Sequence, residues 1–151
     1  MSSYVPIYRV SLVKDGLVKL EDRPRFQQPE DAARFFLTYY TQQHPGEMRE
    51  VFVVATLNVR HKVTAVEVVS IGCMTSSLVH PREVFRLAVA NSAAAIIVAH
   101  NHPSGDPEPS AEDLALTRRL ASAGALLGID LLDHVVVGDG RYVSLKARGV
   151  L

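Results

Sequence analysis

Two rhythms of apolar and polar positions run along this chain, short β-type runs and longer stretches with helical spacing. Val5 to Val13 has the β-branched and aromatic content of a strand, Asp15-Gly16 is a turn signal, and Leu17 to Leu20 predicts a returning strand. Glu21 to Gln28 is a polar connector. Pro29 suits a first helical position, and Ala32, Phe35, Phe36, Tyr39 and Tyr40 share one stripe, which predicts a helix from about Pro29 to Gln43. His44-Pro45-Gly46 ends it. That aromatic spacing is the spacing of a buried helix face, not of a platform on which bases stack.

Glu50 to Leu57 predicts a central strand, Asn58 to Lys62 a turn, and Val63 to Ile71 a second strand antiparallel to the first, closed by Gly72. His80-Pro81 opens a helix from Pro81 to about Ala90, which delivers the chain to an unbroken apolar run, Ala93 to Ala99. Leu116, Leu120, Ala123 and Leu127 mark the inner face of a helix from about Ala111 to Leu127. Leu131 to Val137 is the next strand, Gly138-Asp139-Gly140 a turn, and Tyr142 to Leu145 a short final strand. Strands alternating with helices after a hairpin-like first half predict an α/β fold, a mixed sheet flanked by helices.

Composition narrows the class. The 151 residues amount to one domain, long enough to bury roughly two thirds of the unfolded surface. Residues 1–28 are expected to form a hairpin and connector within the same domain as residues 29–151. The first residues lack a basic start followed by an apolar stretch, and no apolar run reaches membrane-spanning length, so a cytoplasmic protein without a membrane partner is expected. A single cysteine, Cys73, excludes an internal disulfide and a cysteine-rich zinc fold. Sixteen basic and sixteen acidic residues cancel, so the basic excess that drives phosphate binding is missing and charge gives no support to a nucleic-acid partner.

The candidate chemistry lies between the apolar run ending at Ala99 and the helix beginning near Ala111. In an extended segment side chains at i and i+2 share a face, so His100 and His102 can point at one ion while Asn101 points away. Pro103, Gly105, Pro107 and Pro109 break regular structure and turn the chain back, which lets Asp113 approach the same point. Two imidazoles and one carboxylate fill three tetrahedral positions of a zinc ion and leave the fourth for water, as in a catalytic site. Ser110-x-x-Asp113 also reads as a capping box, whose side chains satisfy free N–H groups at a helix start, and both readings stand together. His44, His61 and His80 have no partner in register and read as ordinary polar groups.

His100-x-His102-Pro103 followed by Ser110-x-x-Asp113 resembles the signature of the JAMM-type (JAB/MPN) zinc metallopeptidases. The longer blocks, Val79 to Phe85, Ala94 to Ser104 and Asp133 to Gly140, are similar to the RadC family, a bacterial branch of that fold, and the resemblance runs from about Gln28 to Leu151. It implies a JAB/MPN, cytidine-deaminase-like architecture holding one zinc per chain through His100, His102 and Asp113. It also implies that Ser110 holds the attacking water or the developing oxyanion and that Glu50 is the general base. Composition alone does not choose Glu50 over Glu47, Glu67 or Glu83.

The activity implied is hydrolysis of a peptide or isopeptide bond in a peptide or protein substrate. Two alternatives belong to other classes: a metal-dependent nuclease or DNA-repair-associated factor, and a non-catalytic MPN-type scaffold acting by protein contacts. RadC proteins commonly carry a DNA-associated helix-hairpin-helix region, where this chain has its hairpin and connector. Cys73 stands where the family more often has threonine and reads as a small buried residue, not a nucleophile. Asp133-His134 reads either as a polar pair on a strand or as a group that orients a metal ligand. Ser104 to Pro109 is a candidate specificity loop, and the oligomeric state is not written in the sequence.

Overall fold

The computed structural model describes residues 1–72 and 79–151, and Cys73 lies outside the described residues. Helix α1 spans Pro29–Gln43, strands β1 and β2 span Glu50–Leu57 and Val63–Gly72, and two short helices follow, α2 at Pro81–Val84 and α3 at Arg86–Ala90. Strand β3 (Ala95–Asn101), helix α4 (Ala111–Leu127), β4 (Asp130–Gly138) and β5 (Arg141–Ser144) complete the order. The five strands form one mixed sheet, ordered β2-β1-β3-β4-β5, in which only β3 and β4 run parallel. The expected α/β architecture is therefore present.

Helices cover both faces of the sheet. On one face the α1 stripe, Ala32, Phe35, Phe36, Tyr39 and Tyr40, packs on Val51, Val53, Ala55, Ile97, Ala99, Val135 and Val137. Fully burying one side chain such as Phe36 stabilises the fold by roughly 1.5–3 kcal/mol. Pro29 opens α1, and Asp31 accepts the Gln27 and Gln28 N–H groups at 2.9 and 3.0 Å. On the other face Val84, Phe85, Ala88, Leu116 and Leu120 pack on Phe52, Val54, Ile96 and Val98.

Strand alternation then places the chemistry. With Val51 and Val53 facing α1, the side chains of Glu50, Phe52 and Val54 face the α4 layer. His100 follows Ile96 and Val98 onto that same layer.

Three expectations are corrected. Val5 to Val13 and Leu17 to Leu20 form no strand: residues 1–17 have no regular secondary structure and are exposed, with Ile7 at 99% and Val5 at 87%. A two-stranded hairpin without a face to bury is marginal in water. Residues 18–20 dock without pairing, because Val18 and Leu20 pack on the α1 core and Gln42 brackets the Lys19 peptide, accepting its N–H at 3.0 Å and donating to its carbonyl at 2.8 Å. The single helix expected from Pro81 to Ala90 divides at Phe85. Finally β3 runs Ala95–Asn101 instead of Ala93 to Ala99, so His100 sits inside the ladder, opposite Phe52 on β1 and Val136 on β4.

Candidate metal centre

Three predicted ligands meet. His100 Nε2 and His102 Nε2 lie 3.0 Å apart, with Asp113 Oδ1 3.3 Å from the first and Asp113 Oδ2 3.4 Å from the second. Among the described residues these are the histidine and carboxylate groups whose ligand atoms converge, all within 4.8 Å of one another. The side chains of His100, Asp113 and His102 are 1%, 9% and 14% exposed, against 29% for Glu50, so the centre opens toward Glu50. Glu50 Oε1 is 4.0 Å from His102 Nε2.

Hydrogen bonds behind the centre fix which nitrogens carry protons. Thr117 Oγ1 donates its one hydrogen to the Asp113 carbonyl at 2.7 Å, so its contact with His134 Nδ1 at 2.6 Å must be accepted, and Nδ1 of His134 bears a proton. His134 is fully buried, and burial pushes its pKa well below the ordinary histidine value, so the ring is neutral and Nε2 holds a lone pair. That lone pair accepts from His100 Nδ1 at 2.8 Å, which leaves Nε2 of His100 to face a cation. Likewise His102 Nδ1 donates to the Asp106 carbonyl at 2.8 Å, leaving its Nε2 free. Two nitrogen lone pairs at 3.0 Å repel unless a proton or a metal cation lies between them, so the donor set fits a divalent ion. Phe52 walls the site, stacked on His100 with ring centroids 6.1 Å apart.

The start of α4 supplies the third candidate ligand. Ser110 Oγ accepts the Asp113 N–H at 3.1 Å while Asp113 Oδ2 accepts the Ser110 N–H at 2.8 Å, the reciprocal pair of a capping box. The cap holds the carboxylate in the orientation that faces both imidazoles. Burial raises the Asp113 pKa, but where a proton stands in for the metal on the facing imidazole nitrogens, the N–H bonds from His100 and His102 outweigh it and hold the carboxyl far below the usual range. The Asp113 contact in turn raises the His102 pKa, against the opposing effect of burial.

The loop from Ser104 to Pro109 is pinned. Arg141 donates to the Gly105 carbonyl at 2.8 Å, Arg148 donates two parallel hydrogen bonds to the Glu108 carboxylate at 2.7 and 2.8 Å, and Pro107 is buried. Gly138 allows the loop to lie on the sheet, since a Cβ there would stand 2.8 Å from the Gly105 oxygen.

The rival carboxylates are engaged elsewhere. Glu47 is hydrogen-bonded to the Arg49 guanidinium, which holds its pKa at about 2, and Glu67 accepts from Arg86 at 2.7 Å, while Glu83 sits in the first turn of α2. Asp133 and His134 separate. His134 touches His100, whereas Asp133 accepts from Ser144 Oγ at 2.6 Å, from its neighbour's N–H at 2.7 Å and from the Lys146 N–H at 3.0 Å. Burial raises the Asp133 pKa, and those bonds oppose it. Sequence reasoning missed Thr117 and the Asp106 carbonyl. The signal for Thr117 is a hydroxyl one turn after Asp113, beside Leu116 on the buried face of α4.

Compared with known protein families, residues 26–150 match the RadC-like JAB domain. The chain belongs to that family. A UPF0758 protein of Caldanaerobacter subterraneus is 56% identical over 101 residues, covering 67% of this chain and 43% of that protein. A UPF0758 protein of Shouchella clausii is 49% identical over 127 residues, 84% of this chain and 54% of its own length. One from Desulfitobacterium hafniense is 46% identical over 143 residues, 95% of this chain and 60% of its own length. This RadC-like JAB domain thus spans about half the length of the curated relatives it matches. Among the described residues no helix is long and apolar enough to cross a membrane.

Proposed function

We propose that this RadC-like JAB domain is a zinc-dependent hydrolase of peptide or isopeptide bonds. The carrying observation is the convergence of His100, His102 and Asp113, with the Glu50 carboxylate on the open side. The three residues hold the ion. Zinc, when bound, supplies Lewis acidity, which makes water a stronger acid and polarises a carbonyl. Glu50 takes a proton from the attacking water as its oxygen bonds the carbonyl carbon, and returns that proton to the amine as the C–N bond breaks. Ser110 uses its oxygen as an acceptor in the cap, so its O–H remains to donate to the carbonyl oxygen of the substrate. The balanced charge of the chain favours a peptide or protein substrate over a polyphosphate one.

Metal analysis of the purified chain is expected to find about one zinc per chain. A library of peptides and isopeptide-linked conjugates, screened with the zinc-loaded protein, should return cleaved members. Glu50→Gln should keep the metal and lower turnover by about 100-fold or more. Turnover that survives Glu50→Gln moves the base elsewhere, and a chain that binds no divalent metal overturns the reading. Cleavage of DNA in place of the library would favour a nuclease.

A further inference from the structure

We infer that Asn101, the residue between the two histidine ligands, is a positioning residue that holds Glu50 over the metal centre. The inference rests on the hydrolase reading only in giving Glu50 a role; the clasp itself is geometric. The backbone ladder between β1 and β3 stops at the pair Phe52 and His100. Beyond it β3 turns toward β4, where the His102 N–H donates to the Val137 carbonyl at 2.8 Å. The next rung to β1 is made by a side chain. Val51 N–H donates to Asn101 Oδ1 at 2.6 Å, and Asn101 Nδ2 donates to the Arg49 carbonyl at 3.0 Å.

Those two backbone groups flank Glu50. A primary amide has the donor and acceptor of a peptide group, so Asn101 extends the sheet by one peptide unit at the point where the base leaves it. Its orientation is forced, because Val51 N–H can only donate and the Arg49 carbonyl can only accept. The clasp is also short in sequence from the ion: the backbone of Asn101 carries a ligand on either side. Any movement of the Glu50 backbone away from His100 and His102 must stretch these two bonds. A side-chain amide supplies both partners at once. Serine is too short to bridge them, and aspartate would set an anionic oxygen against the Arg49 carbonyl.

The test uses the full chain loaded with cobalt(II), whose unpaired electrons speed the relaxation of nearby nuclei steeply with decreasing distance. With carboxylate-13C glutamate, the Glu50 signal in wild type should relax much faster than those of Glu47 and Glu67. In Asn101→Ala and Asn101→Asp the Glu50 enhancement should drop several-fold while Glu47 and Glu67 hold, and zinc affinity should stay within about threefold, since the ligands and the groups behind them are untouched. Exchange of the Val51 amide hydrogen should quicken in Asn101→Ala, with or without metal, because alanine removes its acceptor. On any conjugate that the library screen returns, kcat should fall about tenfold or more with KM within about twofold, the mark of a misplaced base rather than a weakened fold. Bound cobalt with an unchanged Glu50 enhancement in both variants overturns this assignment and leaves the hydrolase reading standing. A wild-type chain that binds no cobalt overturns both.

Discussion

At the scale of single residues, the centre depends on a relay of proton positions as much as on its ligands. Thr117, His134 and His100 form one line of hydrogen bonds, and its direction is set by the hydroxyl that donates to the Asp113 carbonyl. His134→Gln is therefore expected to lower zinc affinity about 10- to 100-fold, read by competition with a chelating dye, even though residue 134 is not a ligand. A second consequence concerns pH. The folded pKa of His134 lies well below its ordinary 6.5, while the unfolded chain takes up that proton as pH falls through about 6.5. The unfolded state then binds more protons than the native state, so this group removes stability as pH falls, at up to about 1.4 kcal/mol per unit. Urea denaturation of metal-free protein between about pH 7.5 and pH 5 should show wild type losing stability more steeply than His134→Gln. Equal slopes would mean that the ring is charged in the fold.

Much of this was legible from sequence and some could not be. His100, His102 and Asp113 follow from extended geometry and a loop that turns back, which are local facts. Glu50 was reachable only through resemblance, because its proximity to His102 depends on the antiparallel register that sets Phe52 against His100. The Thr117 and His134 contact joins α4 to β4 across the α4 layer, and no spacing rule reports it.

Among the elements, the beginning of α4 has two duties. Its capping box satisfies two backbone N–H groups at the start of a 17-residue helix, and the same Asp113 carboxylate faces the imidazoles. Ser110→Ala should cost about 1 kcal/mol of stability through the lost cap, seen as a lower melting temperature of the metal-free chain. Zinc affinity should change little, because the bond that orients the Asp113 carboxylate comes from the Ser110 backbone N–H, which alanine keeps; restoration of stability but not turnover by Ser110→Asp would separate the cap from the chemistry. Element boundaries were read less well than element types. The helix at Pro81 divides at Phe85, and β3 begins and ends two residues later than the apolar run, since polar His100 and Asn101 continue the ladder that apolar patterning ends at Ala99.

For the whole molecule, the division is between a sheet covered on both faces and an arm that is covered by neither. Tyr4, Val5, Ile7, Tyr8, Val10 and Val13 have the composition of a strand, yet all are at least 84% exposed. Pattern reads the capacity to pair, and only a neighbour realises it. Trypsin is expected to cut first after Arg9 and Lys14, and a chain lacking residues 1–16 should keep its stability within about 0.5 kcal/mol and its zinc affinity unchanged. Protection of those sites in the free chain would show that the arm is docked.

Gly138 ties these scales together. Its bare α-carbon lets the strand and the Gly105 peptide touch, and that contact moors the turn whose Asp106 carbonyl dictates which nitrogen of His102 is bare. One methyl group added on β4 would lift the turn, free the ring to flip, and present the ion with an N–H in place of a lone pair. The smallest side chain in the protein thus governs, at a distance, which edge of the imidazole a candidate ligand presents.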